Sequence, residues 1–208
     1  MKNKVYVAAA LIAAGLVSCD NKPSFTVEGE ISGADDKVLY IEHSSVGGLV
    51  VLDSVKLDGG GDFKFRHARP EAPDFYRLRI DEKVINFVVD STETVNVNAP
   101  YADFATAYTI TGSESNAKIK ELSLLQAELQ SEVNKLSKSG MPAGIAQDSL
   151  MRMVNTYKNN VKRNYIFKEP DKASSYFALF QQINGQMIFD PLSNKDDVKC
   201  FAAVATSL

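Results

Sequence analysis

The hydrophobic residues of this chain change their spacing once, near Gly112. Before that point they alternate with polar residues, as in Phe25 to Glu30, and short apolar runs are separated by polar turns. A period of two indicates strands, and about seven such runs are typical of a sandwich or a partial barrel. After Gly112 the spacing becomes three and four, which indicates helices. The sequence therefore predicts an α+β protein, with an antiparallel β-sandwich or partial barrel of about seven strands over 25–108 and a helical region over 109–208.

One pair of predicted strands has a recognisable turn between its members. The runs Leu49–Leu57 and Asp62–Arg69 flank the sequence Asp-Gly-Gly-Gly, whose residues tolerate positive φ. We therefore expect these two runs to form a β-hairpin whose loop is residues 58–61.

The helical half contains two long apolar stripes. The first runs from Ile119 to Leu136 and the second from Leu150 to Tyr165, and each is spaced by three or four residues. These stripes predict two long helices folded as an αα-hairpin, followed by two short helices. The expected N-cap residues are Ser113 or Ser115 for the first helix, Ser174 for the third, and Ser193 in a capping box with Asp196 for the last.

The N-terminus carries a targeting signal. Lys2 and Lys4 precede an apolar run of 13 residues, Val5–Val17. That run is too short to span a bilayer, because a spanning helix needs about 20 residues, and it fits the apolar core of a signal peptide. The sequence therefore predicts export from the cytoplasm.

The residues that end this run, Leu16-Val17-Ser18-Cys19, resemble the lipobox of bacterial lipoproteins. In that family the cysteine that matches Cys19 receives lipid and becomes the first residue of the mature protein. The resemblance implies that residues 1–18 are a signal peptide and that residues 19–24 are a lipid-anchored tether. A plain secretory signal followed by an unrelated cysteine is the alternative.

The composition excludes several classes of function. The 23 basic and 26 acidic side chains give a net charge of −3, whereas nucleic-acid binding needs clustered cations. Two cysteines rule out a disulfide-rich scaffold, a four-cysteine zinc site and a Cys-x-x-Cys motif. If Cys19 carries lipid, Cys200 has no partner in the chain. Its place beside Phe201 in an amphipathic segment predicts a small buried hydrophobic residue rather than a reactive thiol.

Few polar residues have the types and spacing that catalysis requires. His43, Ser45 and Asp53 match the residue types of a catalytic triad, but no Gly-x-Ser-x-Gly sequence surrounds the serine. We therefore expect these three to be polar surface residues at strand ends. His67 alternates in phase with two phenylalanines, and we expect it to be a hydrogen-bonded residue of the sheet wall.

Other polar and aromatic groups have simple structural interpretations. The acidic pairs at 35–36, 81–82 and 196–197 lack the ligand alternation of a calcium loop, so we expect them in turns and at a helix start. The lysines of the helical hairpin, among them Lys158 and Lys162, are expected on a solvated face. The sequence thus predicts no catalytic, cofactor-binding or metal-binding residue. Six aromatic residues are expected mostly in the sandwich core, with a ligand-binding face as the alternative: Tyr40, Phe75, Tyr76, Phe87, Tyr101 and Phe104.

Most of the chain resembles one protein family. It is similar to the N-terminal domain of unknown function in lipoproteins of Gram-negative gut bacteria, which carry a TlpA-like thioredoxin domain after it. The resemblance implies a protein that is anchored by lipid to the inner or outer membrane and faces mainly the periplasm. It also implies that thiol–disulfide exchange is carried out by a Cys-x-x-Cys motif in the downstream domain. The resemblance rests on FTVEGEISG (25–33), VLYIE (38–42), DSVKLDGGGDFKF (53–65), FYRLRIDEKVINFVVDSTETVNVNA (75–99) and ITGSESNAKI (110–119), followed by the helical hairpin.

The sequence departs from that family where the chemistry resides. The family's catalytic cysteines match no residue here, and the last helix stays apolar up to Leu208, as if cut within an element. One expectation is a non-catalytic accessory or spacer module of a thiol–disulfide oxidoreductase, with a downstream thioredoxin domain or an envelope protein as partner. The other is a stand-alone lipid-anchored binding protein for a glycan, peptide or lipid.

Overall fold

A computed structural model describes residues 22–45 and 47–207, and it confirms the predicted α+β class. Eight strands come first and the helices follow, with one small two-stranded hairpin between the last two helices. The second helix continues into a π-helical turn, Lys162–Ile166. The strands are β1 Ser24–Ser32, β2 Val38–Ser45, β3 Gly48–Lys56, β4 Asp62–Ala68, β5 Asp74–Ile80, β6 Lys83–Val89, β7 Thr94–Pro100, β8 Thr109–Thr111, β9 Gln182–Ile183 and β10 Gln186–Met187. The helices are α1 Glu114–Ser137, α2 Ala143–Val161, α3 Ala173–Leu179 and α4 Lys195–Ala205.

The eight N-terminal strands form two four-stranded sheets. The first sheet has the order β4-β1-β7-β8 and the second has the order β3-β2-β5-β6. Their inner faces share one apolar core, in which the rings of Phe25 from the first sheet and Tyr76 from the second have centroids 5.0 Å apart. This arrangement is a sandwich rather than a partial barrel. Neighbouring strands run antiparallel except β1 and β7, which are parallel with Val27 opposite Val95.

The predicted hairpin between β3 and β4 is wrong. Strand β3 pairs with β2 in the second sheet, whereas β4 pairs with β1 in the first. The glycine-rich turn crosses between the sheets, and the Ile31 amide donates to the Gly61 carbonyl at 2.9 Å. Gly61 has φ of +73°, and a Cβ there would lie 2.2 Å from the carbonyl oxygen of Ile31. A turn-rich sequence marks where the chain bends, but the choice of partner strand is made by contacts distant in sequence.

Helix α1 is fastened to the edge of the second sheet. The predicted cap is confirmed at its start, where the Ser113 hydroxyl accepts from the Asn116 amide at 3.3 Å. The fully buried Asn116 side chain then bonds both backbone groups of Val88 on β6. Its Oδ1 accepts from the Val88 amide at 2.8 Å, and its Nδ2 donates to the Val88 carbonyl at 3.0 Å. The edge strand therefore gains a side-chain partner where a further strand is absent.

The helices build a second core of their own. Leu129 and Val133 of α1 and Tyr157 and Val161 of α2 are buried in it, so residues of both predicted stripes meet. Two expected caps are wrong. Ser174 lies inside α3, buried and with no hydrogen-bond partner for its hydroxyl among the described residues. Helix α4 is capped by Asn194, whose Oδ1 accepts from the Asp196 amide at 2.9 Å.

A buried charge cluster joins α4 to α2. Asp197 is fully buried and its Oδ2 lies 2.5 Å from the Lys158 ammonium, while its Oδ1 lies 3.4 Å from Lys162. The Asp190 amide also donates to Asp197 Oδ2 at 2.9 Å. The expectation that these lysines lie on a solvated face is therefore wrong. A buried carboxylate needs such partners, because an unpaired charge is costly in the interior.

Candidate binding site on the second sheet

The predicted lipidation site lies outside the described residues. Cys19 and the signal peptide 1–18 precede them, and the tether 19–24 is described only from residue 22 onward. Lipidation of Cys19 therefore stays a prediction.

Cys200 is the free cysteine of the described chain, and its burial agrees with the interpretation as a hydrophobic residue. Its exposed fraction is 0%, and its Sγ lies 3.8 Å from the carbonyl oxygen of Asp196. Burial raises the pKa of the Cys200 thiol, and the opposing charge of Lys162 is the smaller effect. A thiol that is buried and protonated is a poor nucleophile.

The three residues with the types of a catalytic triad form no contact with one another. The His43 ring bonds Asp74 at 2.6 Å, which joins the ends of β2 and β5. The Ser45 hydroxyl donates to the Gly48 carbonyl at 3.1 Å, and Asp53 accepts from the Ser54 amide at 2.7 Å. Ser45 lies at the end of β2 as expected, whereas Asp53 lies inside β3 and His43 bonds across to β5.

His67 differs from its expected role. It follows the inward phase of Phe63 and Phe65 on β4, and its ring lies 5.9 Å from that of Phe25. Its Nε2 atom is buried without a hydrogen-bond partner among the described residues. The expectation that His67 is hydrogen-bonded in the sheet wall is therefore wrong for this nitrogen. Burial lowers the pKa of His67, with a smaller opposing effect from Asp53.

The acidic pairs lie where the sequence placed them. Asp36 and Asp81 have φ of 62° and 49° in turns, and Asp196 and Asp197 form the first turn of α4. Within residues 22–45 and 47–207, no group of three or more His, Cys, Asp or Glu side chains is placed to hold a metal ion.

The most organised polar group of the described surface lies on the outer face of the second sheet. Glu42 on β2 is opposite Arg77 on β5, and Arg79 follows on the same face. The Nε of Arg77 donates to Glu42 Oε2 at 2.5 Å, and the Nε of Arg79 donates to Glu42 Oε1 at 2.7 Å. The Glu42 side chain is only 4% exposed, whereas those of Arg77 and Arg79 are 23% and 26% exposed. We call these three residues the arginine clamp.

Two further contacts hold the arginine clamp in place. The guanidinium carbon of Arg79 lies 4.2 Å from the centre of the Tyr40 ring, a cation–π contact. The Nη1 of Arg79 also donates to the Asp81 carbonyl at 3.3 Å. Burial alone would raise the pKa of Glu42, but the hydrogen bonds and charges of Arg79 and Arg77 outweigh it and hold that pKa below its usual range. Glu42 is therefore the anionic centre of the arginine clamp.

The sequence shows only half of the arginine clamp. Arg77 and Arg79 alternate with buried residues, so the outward position of both arginines was visible in the pattern. Glu42 directly follows the buried Ile41, at a point where the pairing of β2 with β3 shifts register. Its partners depend on the pairing of β2 with β5, which the sequence does not specify locally.

An aromatic strip begins beside the arginine clamp and crosses to the helices. Phe75, two residues before Arg77 on the same face of β5, stacks on Tyr176 of α3 with ring centroids 5.6 Å apart. The ring centroids of Tyr176 and Phe180 are 4.8 Å apart, and those of Phe180 and Phe201 of α4 are 5.9 Å apart. Phe180 is 47% exposed. We use the term aromatic strip for Phe75, Tyr176, Phe180 and Phe201.

The six aromatic residues of the sandwich divide between its two sides. The core interpretation is confirmed for Tyr76, Phe87 and Phe104, which are buried. Tyr40 and Phe75 lie instead on the outer face of the second sheet, in the arginine clamp and the aromatic strip. Tyr101 is partly buried against the core.

The sandwich matches a known family model. Residues 25–119 match a family described as Domain of unknown function (DUF4369). The match covers the eight strands of the sandwich except Ser24, the first residue of β1, and it includes the first turns of α1 with Asn116 and both arginines of the arginine clamp. The chain matches no curated protein.

None of the described helices has the length and apolar character that crossing a membrane requires.

The lowered pKa of Glu42 predicts a pH dependence of stability. Because the folded state favours the charged form, the Glu42 contribution is present above the ordinary glutamate pKa, about 4.3, and is lost as the pH falls below it. We expect Glu42→Gln to be less stable than the wild type at neutral pH, with a difference that shrinks on acidification. Urea unfolding at several pH values measures this. The exposed Glu71→Gln serves as control and should follow the wild-type curve, and a Glu42→Gln difference independent of pH would contradict the account.

Proposed function

We propose that this chain is a non-catalytic accessory module of a thiol–disulfide oxidoreductase in the Gram-negative cell envelope, anchored to a membrane by lipid at Cys19. The module tethers and spaces a redox domain and offers a surface against which another protein packs. The redox chemistry belongs to a Cys-x-x-Cys domain and not to this chain.

Two sequence resemblances support the anchoring part of this proposal. Residues 16–19 resemble a lipobox, and the stretches between residues 25 and 119 resemble the N-terminal domain of lipoproteins that carry a thioredoxin domain. The burial of Cys200 fits a module without redox chemistry, because thiol–disulfide exchange needs an accessible thiolate.

The observation that carries the packing part is the aromatic strip. It runs from the second sheet over α3 to α4, and Phe180 remains 47% exposed within it. Leu192 and Val198, from the segment before α4 and from α4 itself, are also exposed, at 97% and 47%. Aromatic side chains exposed on rigid elements are typical of protein contact surfaces.

The arginine clamp favours a second candidate function. A stand-alone lipid-anchored binding protein would use such rigid cationic groups to hold a ligand rather than a neighbouring domain. The coding sequence that follows codon 208 in the native gene discriminates between the two functions. A thioredoxin domain with Cys-x-x-Cys supports the accessory module, and a stop codon supports the binding protein.

Replacing Cys19 tests the anchor. Cys19→Ala should abolish labelling by radioactive palmitate and leave an uncleaved precursor, because lipidation needs the thiol. The matched variant Cys200→Ser should still be labelled, since its thiol is buried. Labelling of Cys19→Ala, or a wild-type protein that partitions wholly into the aqueous phase of a detergent separation, would contradict the proposal.

The absence of redox chemistry in this chain is tested with insulin as substrate. The full chain in detergent, supplied with dithiothreitol, should reduce insulin no faster than dithiothreitol alone, because a reductase cycles between two neighbouring thiols. Turnover above this background that disappears in Cys200→Ser would show that the chain is itself a reductase.

A further inference from the structure

We propose that the arginine clamp binds the carboxylate of a ligand that carries an apolar group beside it. The site lies on the outer face of the second sheet, between the arginine clamp and the first ring of the aromatic strip. This inference rests on the second candidate function, names the class of ligand for it, and does not depend on the lipid anchor.

The donors that face such a ligand are not used by the described protein. Arg77 and Arg79 each direct one Nε to Glu42, and Arg79 uses Nη1 for the Asp81 carbonyl. Among residues 22–45 and 47–207, the two Nη groups of Arg77 and the Nη2 of Arg79 have no hydrogen-bond partner. Guanidinium groups match the planar, two-oxygen geometry of a carboxylate.

The arginines are fixed before any ligand arrives. The almost fully buried Glu42 holds both Nε groups at 2.5 and 2.7 Å, and the Tyr40 ring packs against Arg79. When flexible arginine side chains of a protein bind a ligand, each side chain that becomes immobilised loses rotamer entropy. Arg77 and Arg79 are already ordered in the folded protein, so this loss does not reduce the affinity for the ligand.

The charge of the arginine clamp selects for a single negative charge. Two guanidinium groups and the Glu42 carboxylate sum to +1, so one carboxylate neutralises the site. A phosphate dianion would place an excess negative charge near Glu42. The neighbouring Asp81 carboxylate is occupied by the Lys37 ammonium at 3.0 Å and by the Tyr101 hydroxyl, so it does not compete for the arginines.

The aromatic strip supplies the apolar part of the site. Alternate residues of a strand share one face and lie about 7 Å apart. Phe75 is thus adjacent to Arg77, and its ring is held by stacking on Tyr176. A ligand whose apolar group is a few bonds from its carboxylate fits this spacing. A C-terminal phenylalanine of a peptide has this chemistry, as does a small aryl acid.

Titration of the arginine signals tests the site. The full chain in detergent is titrated with N-acetylphenylalanine at constant ionic strength, and the Nε–Hε signals of the arginines are followed by NMR. The signals of Arg77 and Arg79 should shift and saturate. N-acetylphenylalanine amide, which lacks the carboxylate, should leave them unchanged, and inorganic phosphate should bind at least tenfold more weakly. Phenylacetate binding as tightly as N-acetylphenylalanine would indicate a small aryl acid, and weaker binding would indicate a peptide C-terminus.

Matched variants separate binding from fold. Arg77→Gln should weaken N-acetylphenylalanine binding at least tenfold, whereas Arg66→Gln should leave it unchanged, because Arg66 binds Ser24 on the other sheet. Arg77→Lys keeps a cation beside Glu42 but removes the two Nη groups of Arg77, so binding followed on the Arg79 signal should also weaken at least tenfold. This variant keeps the test decisive if Arg77→Gln fails to fold. No saturable shift, equal shifts with the amide, tighter binding of phosphate, or undiminished binding in Arg77→Lys would overturn the proposal.

Discussion

The two hydrogen bonds between Asn116 and Val88 determine how the halves of this protein sit together. An edge strand exposes unpaired backbone N–H and C=O groups. On β6 the N–H and C=O groups of Val88 are hydrogen-bonded by the buried side chain of Asn116 from α1. Because Ser113 caps α1 just before Asn116, the helix begins at the sheet edge and is aimed from there. The direction of α1 then sets where α2, α3 and α4 can pack. The Asn116 contact therefore positions the whole helical core against the second sheet.

The position of the proposed binding surface follows from that placement. Docking of the helices brings Tyr176 onto Phe75, so the outer face of β5 continues into the helical region. The part of β5 that the aromatic strip leaves uncovered carries Arg77 and Arg79, which the buried Glu42 holds in place. The Glu42 carboxylate is buried whereas the two guanidinium groups remain partly exposed, and the cost of desolvating a carboxylate offsets much of the stability that its ion pairs contribute. The arginine clamp joins β2 to β5 and leaves guanidinium groups at the surface for the binding that we propose.

The sequence predicted features that depend on neighbouring residues. The period of two, the helical stripes, the Ser113 cap and the burial of Cys200 all follow from local patterns, and the structure agrees with them. It did not predict pairings made over long distances. The Asp-Gly-Gly-Gly turn looks like a hairpin but joins two sheets, and Lys158 looks solvated but reaches Asp197 across 39 residues. The arginine clamp was missed for the same reason, since Glu42 meets its partners 35 and 37 residues away.

Native-state hydrogen exchange tests most directly whether Asn116 couples the two halves. In the wild type, the amides of Val88 on β6 and of Cys200 on α4 should exchange with the same free energy of opening, because both open only in global unfolding. Asn116→Ala removes the acceptor of the Val88 amide itself, so the Cys200 amide is the decisive one, and its protection should fall as well because the two bonds that dock α1 are lost. Glu128→Ala, at an exposed position of the same helix, should leave both unchanged. Exchange of the two amides at well-separated free energies in the wild type, or full protection of Cys200 in Asn116→Ala, would contradict the account.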